Sequence, residues 1–225
     1  MSSIFLRVKR GVAAKQSTPV RARWVVLGLL LLAFALRAHA LGREELTFDE
    51  VASFFIAEQG PLALLSYVRD AIREHPPLYY LLLSLWMPAV GTSEFAIRFP
   101  SVIIGTATMA ATYRLVRRGF GRWLALLGTF FLVMSPFHVQ ISRDARMYGL
   151  LALWSLLSVS AFSGLLQRES EPSPSASRGC SGQPQPVGRW VAAIQGWAVG
   201  KWALFWTITA LGMFTHYFMV FVLVA

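Results

Sequence analysis

Two adjacent carboxylates, Asp49 and Glu50, lie in the segment LTFDEVASFF, directly before an amphipathic stretch. A carboxylate at Asp49 could act as a general base that removes the proton from an attacking hydroxyl group. The same segment is typical of a helix capping box, in which Thr47 caps the helix, Glu50 reciprocates, and both acids favour the positive end of the helix dipole. The two interpretations are compatible, because a cap can hold a neighbouring carboxylate rigidly.

Three arginines could bind an anion. Arg143 and Arg146 lie close together in ISRDARMYG, and the planar forks of paired arginines give charge-assisted, often bidentate, contacts to phosphate oxygens. The alternative is that they contact lipid headgroups nonspecifically while Asp144 pairs with one of them. Arg98 is a further cation, and either a phosphate contact or a snorkelling membrane anchor would suit it.

Two histidines are further candidates for substrate binding. His75 lies in EHPPLYY, where two prolines interrupt any helix, and it could donate to phosphate or sugar hydroxyl oxygens. The alternative for this segment is a plain turn with aromatic residues at the membrane interface. For His216 in FTHYF, the role depends on whether the last apolar stretch breaks there. A break would place His216 with the other candidates, whereas a continuous helix would favour a packing hydrogen bond.

The composition indicates that a membrane surrounds these residues. Of the 225 residues 56% are hydrophobic and 14% are charged, and the mean hydropathy is +0.54. The apolar residues form long runs, which is the membrane signature. The net charge of +10 comes from arginines and lysines beside these runs, where they set topology and meet anionic lipids, so we discount nucleic acid as a partner. Cys180 is alone, so neither an internal disulfide nor a cysteine-rich zinc site is expected.

A basic N-terminal segment precedes the apolar run 24–36 and is expected on the cytoplasmic side. The sequence Ala38-His39-Ala40 has the form of a signal-peptidase site, so a cleaved signal peptide is the alternative to a first span. Either way, the residues after Leu41 emerge on the outer face. We expect one transmembrane domain with a first span at 24–41, an outer loop at 42–98, three spans within 99–166, a flexible cytoplasmic loop at 167–201 and a last apolar stretch at 202–225.

The segment Leu78–Val90 decides the arrangement of the outer loop. Its 13 residues make a helix of about 20 Å, against a hydrocarbon core of about 30 Å. A crossing here would also place the next basic cluster outside, whereas an interfacial helix leaves it inside, as the positive-inside rule favours. That cluster consists of Arg114, Arg117, Arg118 and Arg122. We therefore expect an all-α polytopic membrane protein whose long outer loop contains interfacial helices.

Three spans should follow the outer loop. The first is expected to have Pro100 in its first turn and to run to about Val116, the second to cover 123–139 and the third 148–166. Residues 167–188 are rich in Ser, Pro and Gly, which predicts a flexible loop. The chain ends inside an apolar stretch, so we expect it to be a fragment of a longer protein.

The order of these motifs resembles family 39 glycosyltransferases, in particular the bacterial branch of the protein O-mannosyltransferase and aminoarabinose-transferase type. LGREELTFDEVAS resembles the first-loop signature of that family, EHPPLYYLLLSLW its proline-containing interfacial segment, and SEFAIRFPSVIIG the entry to its second span. SRDARMYGLLALWSLLS and FTHYF resemble later landmarks. The resemblance implies a GT-C-type transmembrane helix bundle.

The resemblance also implies an activity, which is inverting transfer of a sugar from a polyprenyl-phosphate donor to an acceptor on the periplasmic face of a bacterial inner membrane. Asp49 would be the catalytic base and Glu50 its support, and Arg143, Arg146 and His75 would lie near the donor phosphate. No cofactor is implied with certainty, and a divalent metal is left open. The chain is shorter than the family pattern, so acceptor-binding residues are expected to be missing.

Two other functions remain open, namely a transporter or flippase of a lipid-linked substrate and a noncatalytic polytopic membrane protein. A transporter should place ionisable residues near the middle of the membrane in broken helices. Here the ionisable residues gather in the predicted outer segments beside the interface, which favours the enzyme. A noncatalytic protein would tolerate the replacement of Asp49 by Asn.

Overall fold

The computed structural model describes residues 20–70, 76–169, 187–217 and 219–224, and the regular structure within these ranges is helical throughout. The helices are α1 (Val20–Ala38), α2 (Phe48–Glu58), α3 (Pro61–Asp70), α4 (Leu78–Val90), α5 (Glu94–Phe120), α6 (Arg122–Met134), α7 (Pro136–Ile141), α8 (Tyr148–Glu169), α9 (Val187–Met213) and α10 (Met219–Val224). The all-α fold class expected from the sequence is confirmed.

Two helices of the described ranges are long and apolar enough to cross a membrane, Glu94–Phe120 and the segment Tyr148–Leu165 of α8. The apolar helices α4 and α6 have 13 residues each, which corresponds to about 20 Å. Many large apolar side chains are exposed on the helices, including Trp24, Leu31 and Phe131. Such side chains suit a lipid environment, so the chain is an all-helical membrane protein.

Helix α5 is the centre of the bundle, since α1, α6 and α8 all pack against it, and α9 packs on α8. Helices α2, α3 and α4 form a second layer, in which α2 and α3 pack on α4, and α4 packs on α5. The main apolar cluster joins this layer to the beginning of α5 and α8, and it includes Leu64, Tyr79, Leu83, Ile97 and Leu150. Helices α2, α3 and α4 are therefore fixed to one end of the bundle.

Pro100 lies inside α5, so the prediction that it belongs to the first turn was wrong. The helix begins at Glu94, because the Ser93 hydroxyl accepts a hydrogen bond from the Ala96 N–H at 3.2 Å and caps the helix. A proline in a helix leaves the carbonyl four residues earlier without its N–H partner. Here that carbonyl belongs to Ala96, and it accepts a hydrogen bond of 2.9 Å from the indole nitrogen of Trp86.

Two further boundaries differ from expectation. The predicted span 123–139 is divided, because α6 ends at Met134 and Ser135 caps α7, whose first residue is Pro136. The predicted flexible loop at 167–201 overlaps two helices, since α8 continues to Glu169 and α9 begins at Val187. Residues 170–186 lie outside the described residues.

The last apolar stretch breaks after Met213 and resumes as α10. Gly212 permits the break to be compact, because a Cβ atom there would lie 2.8 Å from the sulfur of Met219. The Leu78 N–H donates a hydrogen bond of 3.1 Å to the Phe214 carbonyl, which ties the break to the start of α4. This end of α9 therefore lies beside the layer of α2, α3 and α4.

Candidate functional site

The proposed base and one predicted phosphate-binding arginine are in direct contact. Asp49 lies in the first turn of α2, and its carboxylate pairs with the guanidinium of Arg146 at 2.7 Å. The side chain of Asp49 is 51% exposed and that of Arg146 is 23% exposed, so the pair opens to the surface. The guanidinium carbon of Arg146 also lies 5.1 Å from the ring centroid of Tyr148, a cation–π distance that steadies the arginine.

Glu50 is fully buried beneath this pair and binds three separate parts of the chain. Its carboxylate accepts bidentate hydrogen bonds from Arg98, at 2.8 Å from Nε and 2.7 Å from Nη2. It also accepts from the Ala145 N–H at 2.9 Å and from the Thr47 N–H at 2.9 Å, the latter as part of the predicted capping box. Glu50 thereby joins α2, the start of α5 and the segment before α8.

Arg98 completes this connection through main-chain carbonyl groups. Its Nη1 donates to the carbonyls of Leu41 and Glu44, at 3.0 and 2.8 Å, and its Nη2 donates to that of Glu45 at 3.0 Å. Together with the two bonds to Glu50, these contacts occupy all five N–H groups of a guanidinium. Arg98 is 6% exposed. The structure therefore gives it a third role, different from both a phosphate contact and a snorkelling anchor, which is to hold the loop before α2.

The contacts of Glu50 set its protonation state. Burial by itself raises the pKa of Glu50, but the hydrogen bonds from Arg98, Ala145 and Thr47 outweigh burial and lower the pKa to about 2. The carboxylate is therefore ionised at neutral pH, and its lone pairs are used by protein donors. A group in this state suits the support of a neighbouring base better than proton transfer.

The segment between α7 and α8 carries the remaining charges. Arg143 donates a hydrogen bond of 3.3 Å to the Ala40 carbonyl. Arg146 pairs with Asp49 rather than with Asp144, against the alternative in which Asp144 pairs with a neighbouring arginine. Burial raises the pKa of Asp144 and Glu50 raises it further, whereas the arginines around it lower it.

Of the two candidate histidines, His216 is brought to the site and His75 lies outside the described residues. Because the last apolar stretch breaks, the ring of His216 lies 6.0 Å from the ring of Tyr148, which in turn contacts Arg146. The break in the last apolar stretch therefore places His216 with the other candidate residues.

Two tyrosines at this site escaped the sequence analysis. Tyr148 lies between Arg146 and His216. Tyr80 is buried, which raises its pKa, and it lies within electrostatic reach of Arg146, which lowers that pKa. Tyrosines at such positions are typical of an aromatic belt at the membrane interface, so they were not proposed as site residues. The sequence signal that could have identified them is their position close to His75 and Arg146 in two of the motifs.

Among the described residues, no group of three or more His, Cys, Asp or Glu side chains is arranged to hold a metal ion. The charge pattern there is instead one of carboxylates facing guanidinium groups, since Asp49 pairs with Arg146 and Glu50 with Arg98. Such a site offers cationic hydrogen-bond donors to a phosphate and a carboxylate to a hydroxyl group.

Residues 74–173 match the family model described as dolichyl-phosphate-mannose-protein mannosyltransferase. No curated protein and no solved structure matches the chain significantly. The matched segment contains Arg98, Arg143 and Arg146, whereas Asp49, Glu50 and His216 lie outside it. The match agrees with the resemblance carried by the sequence motifs, and it shows that residues 74–173 are similar to membrane glycosyltransferases of the mannosyltransferase type.

Proposed function

We propose that this chain belongs to an inverting glycosyltransferase that moves a sugar from a polyprenyl-phosphate donor to an acceptor hydroxyl on the periplasmic face of a bacterial inner membrane. The observation that carries the proposal is the contact of 2.7 Å between Asp49 and Arg146. It brings together a half-exposed carboxylate and a cation suited to phosphate at one end of the helix bundle. The family match supports the same class of reaction.

In the proposed reaction, Asp49 takes the proton of the acceptor hydroxyl while its oxygen attacks the anomeric carbon of the sugar. The bond between that carbon and the phosphate oxygen breaks, and the electron pair leaves with the carrier phosphate. Arg146 and Arg143 stabilise the negative charge on the departing phosphate. The sugar is inverted, because attack and departure take place on opposite faces of the anomeric carbon.

The ion pair of the free protein gives Arg146 a second part in this reaction. While Arg146 pairs with Asp49, the guanidinium occupies a carboxylate oxygen that would otherwise accept the proton of the acceptor hydroxyl. A donor phosphate competes for the same guanidinium, which stays within reach because Tyr148 holds it at 5.1 Å. Donor binding then releases Asp49 to accept the proton, so that the base becomes active when the sugar is present.

The orientation follows from the distribution of charge along α5. The site lies at the N-terminal end of this helix, whereas the opposite end carries Arg114, Arg117 and Arg118, followed by Arg122 at the start of α6. Positive charge of this kind stays in the cytoplasm. We therefore place the site on the periplasmic face and the N-terminus in the cytoplasm. A flippase should instead place its ionisable residues at the middle of the membrane.

A cysteine at position 58 tests this orientation. Glu58 is exposed at the end of α2, and Cys180, together with any cysteine outside residues 1–225 of the full-length protein, is replaced by serine so that one thiol is left. In intact spheroplasts the E58C variant of the full-length protein should react with a membrane-impermeant maleimide added outside. Reaction only after the membrane is opened would place the site in the cytoplasm and contradict the proposal.

Substitution of Arg146 tests the role of the phosphate-binding cation. In membranes containing the full-length protein, Arg146→Gln should lower kcat/KM for the lipid-linked donor by about 10- to 100-fold, since one charge-assisted contact to the leaving group is lost. Arg146→Lys should retain part of the activity because it keeps the charge. Arg69→Gln is the matched control, because Arg69 is an exposed arginine of the same outer loop with a side chain 76% exposed. Donor kinetics that are equal for Arg146→Gln and the control would refute the assignment.

A further inference from the structure

Arg37, near the C-terminal end of α1, is a second buried arginine that the proposed reaction does not use. Its side chain is fully buried. Its Nη1 donates to the Ala33 carbonyl at 3.0 Å, and its Nη2 lies 3.0 Å from Nδ1 of His138 and 3.8 Å from the sulfur of Met109. Its Nε is buried without a partner in the described part of the chain. A buried cation that no carboxylate compensates is costly.

The contact with Arg37 determines the protonation state and the tautomer of His138. A guanidinium can only donate hydrogen bonds, so Nδ1 of His138 must accept, and the ring is neutral with its proton on Nε2. Protonation of Nδ1 would place two cations 3.0 Å apart. Among the described residues, Arg37 is the charged group that acts on this ring. The hydroxyl of Ser142 is then left to donate to the His138 carbonyl at 2.6 Å.

Gly105 allows helix α5 to approach Arg37 and Ser142 closely. A Cβ atom at Gly105 would lie 2.5 Å from the Cβ of Ser142 and 3.3 Å from the Nε of Arg37, so only glycine allows α5 this close to both. Ser142 is fully buried and directly precedes Arg143. The segment that carries Arg143 and Arg146 is therefore fixed to α1 and α5 at its first residue.

We propose that Arg37 is a positioning residue for sugar transfer, which through His138 and Ser142 holds the segment 142–147 where Arg146 meets Asp49. This inference rests on the proposed function for its effect on activity, but the placement of the segment can be measured without activity. A displacement of about 1 Å at a reacting group can cost about 10²-fold in rate. The loss of Arg37 should therefore act on turnover although Arg37 touches no substrate.

The placement is measured by thiol cross-linking in the full-length protein. With Cys180 and any cysteine outside residues 1–225 replaced by serine, cysteines at positions 49 and 146 should be joined efficiently by a short bifunctional thiol reagent. Adding Arg37→Met should slow this cross-linking severalfold, whereas Arg69→Gln should not change it. Unchanged cross-linking in the Arg37→Met background would overturn the positioning role whatever the activity of the protein.

Activity gives the second readout. His138→Asn keeps an acceptor near the position of Nδ1, whereas His138→Leu removes it, so Asn should retain transfer and Leu should lower kcat about as much as Arg37→Met, by roughly 10²-fold. Equal activity of His138→Leu and His138→Asn would overturn the inference. If cross-linking slows in Arg37→Met but Arg146→Gln transfers normally, the positioning stands and the proposed function fails.

Discussion

Replacing Asp49 by Asn is expected to reduce sugar transfer by about 10²- to 10⁴-fold, the usual contribution of a general base, without unfolding the full-length protein. Asparagine has nearly the size of aspartate but cannot take the proton of the acceptor. Asp49 is half-exposed and its ion pair with Arg146 lies at the surface, so the loss of that pair should cost about 1 kcal/mol or less. The capping box does not depend on this side chain, because it is formed by Thr47 and Glu50.

The measurement is the initial rate of transfer from a polyprenyl-phosphate sugar in membranes that contain equal amounts of each variant. Glu58→Gln is the matched control, since Glu58 is an exposed acid at the other end of the same helix. The control should transfer at the wild-type rate, and the thermal unfolding of both variants in detergent should resemble that of the wild type. A normal rate for Asp49→Asn would remove Asp49 as the base.

Glu50→Gln is expected to have the largest effect on stability, lowering the free energy of unfolding by about 3–5 kcal/mol. The substitution leaves the buried guanidinium of Arg98 without its counter-charge and turns one acceptor oxygen of residue 50 into a donor. Arg98→Met should destabilise the protein by a similar amount, since it leaves the buried carboxylate of Glu50 without its counter-charge and the carbonyls of Leu41, Glu44 and Glu45 without their donor. The midpoint of thermal unfolding in detergent measures both effects, and values within one degree of the wild type would contradict them.

The pH dependence of unfolding separates the contribution of the Glu50 charge to stability from the contribution of its side-chain packing. The folded state lowers the pKa of Glu50 from 4.5 to about 2, so the stabilisation by its ionised form is complete above pH 4.5. It should be lost as the pH falls from 4.5 towards 2. Glu50→Gln should lack this part of the acid destabilisation. The same acid response in wild type and variant would show that other carboxylates cause it.

The sequence predicted those features of the fold that depend on local patterns. Helix α4 has the predicted bounds, Leu78–Val90, because its apolar run lies between a pair of prolines and a glycine. The capping box at Thr47 and Glu50 is present for the same reason. Pro100 was misplaced, because what allows a proline inside α5 is the indole of Trp86, a partner from another helix that no local pattern reveals.

The sequence indicated several residues of the site but not the contacts between them. The sequence indicated Asp49 and Arg146 as candidates, and the fold brings them into contact. It could not show that Arg98 binds Glu50, because the two are distant in sequence and a charge at a helix start is usually solvated. Arg37 was wrongly expected to snorkel outward from the end of the first span, since an arginine there is typical of a lipid anchor. The structure buries it fully, and its burial depends on Gly105 and Ser142.

The hydrogen bonds from Arg98 to the loop before α2 end on main-chain oxygen atoms, which every amino acid supplies. The side chains of Arg43, Glu44 and Glu45 are exposed and take no part in those bonds. The shape of this loop is thus independent of the residue types at its surface. Mutational drift at these three positions should therefore leave the hydrogen bonds from Arg98, and with them the place of Asp49 after the loop, unchanged.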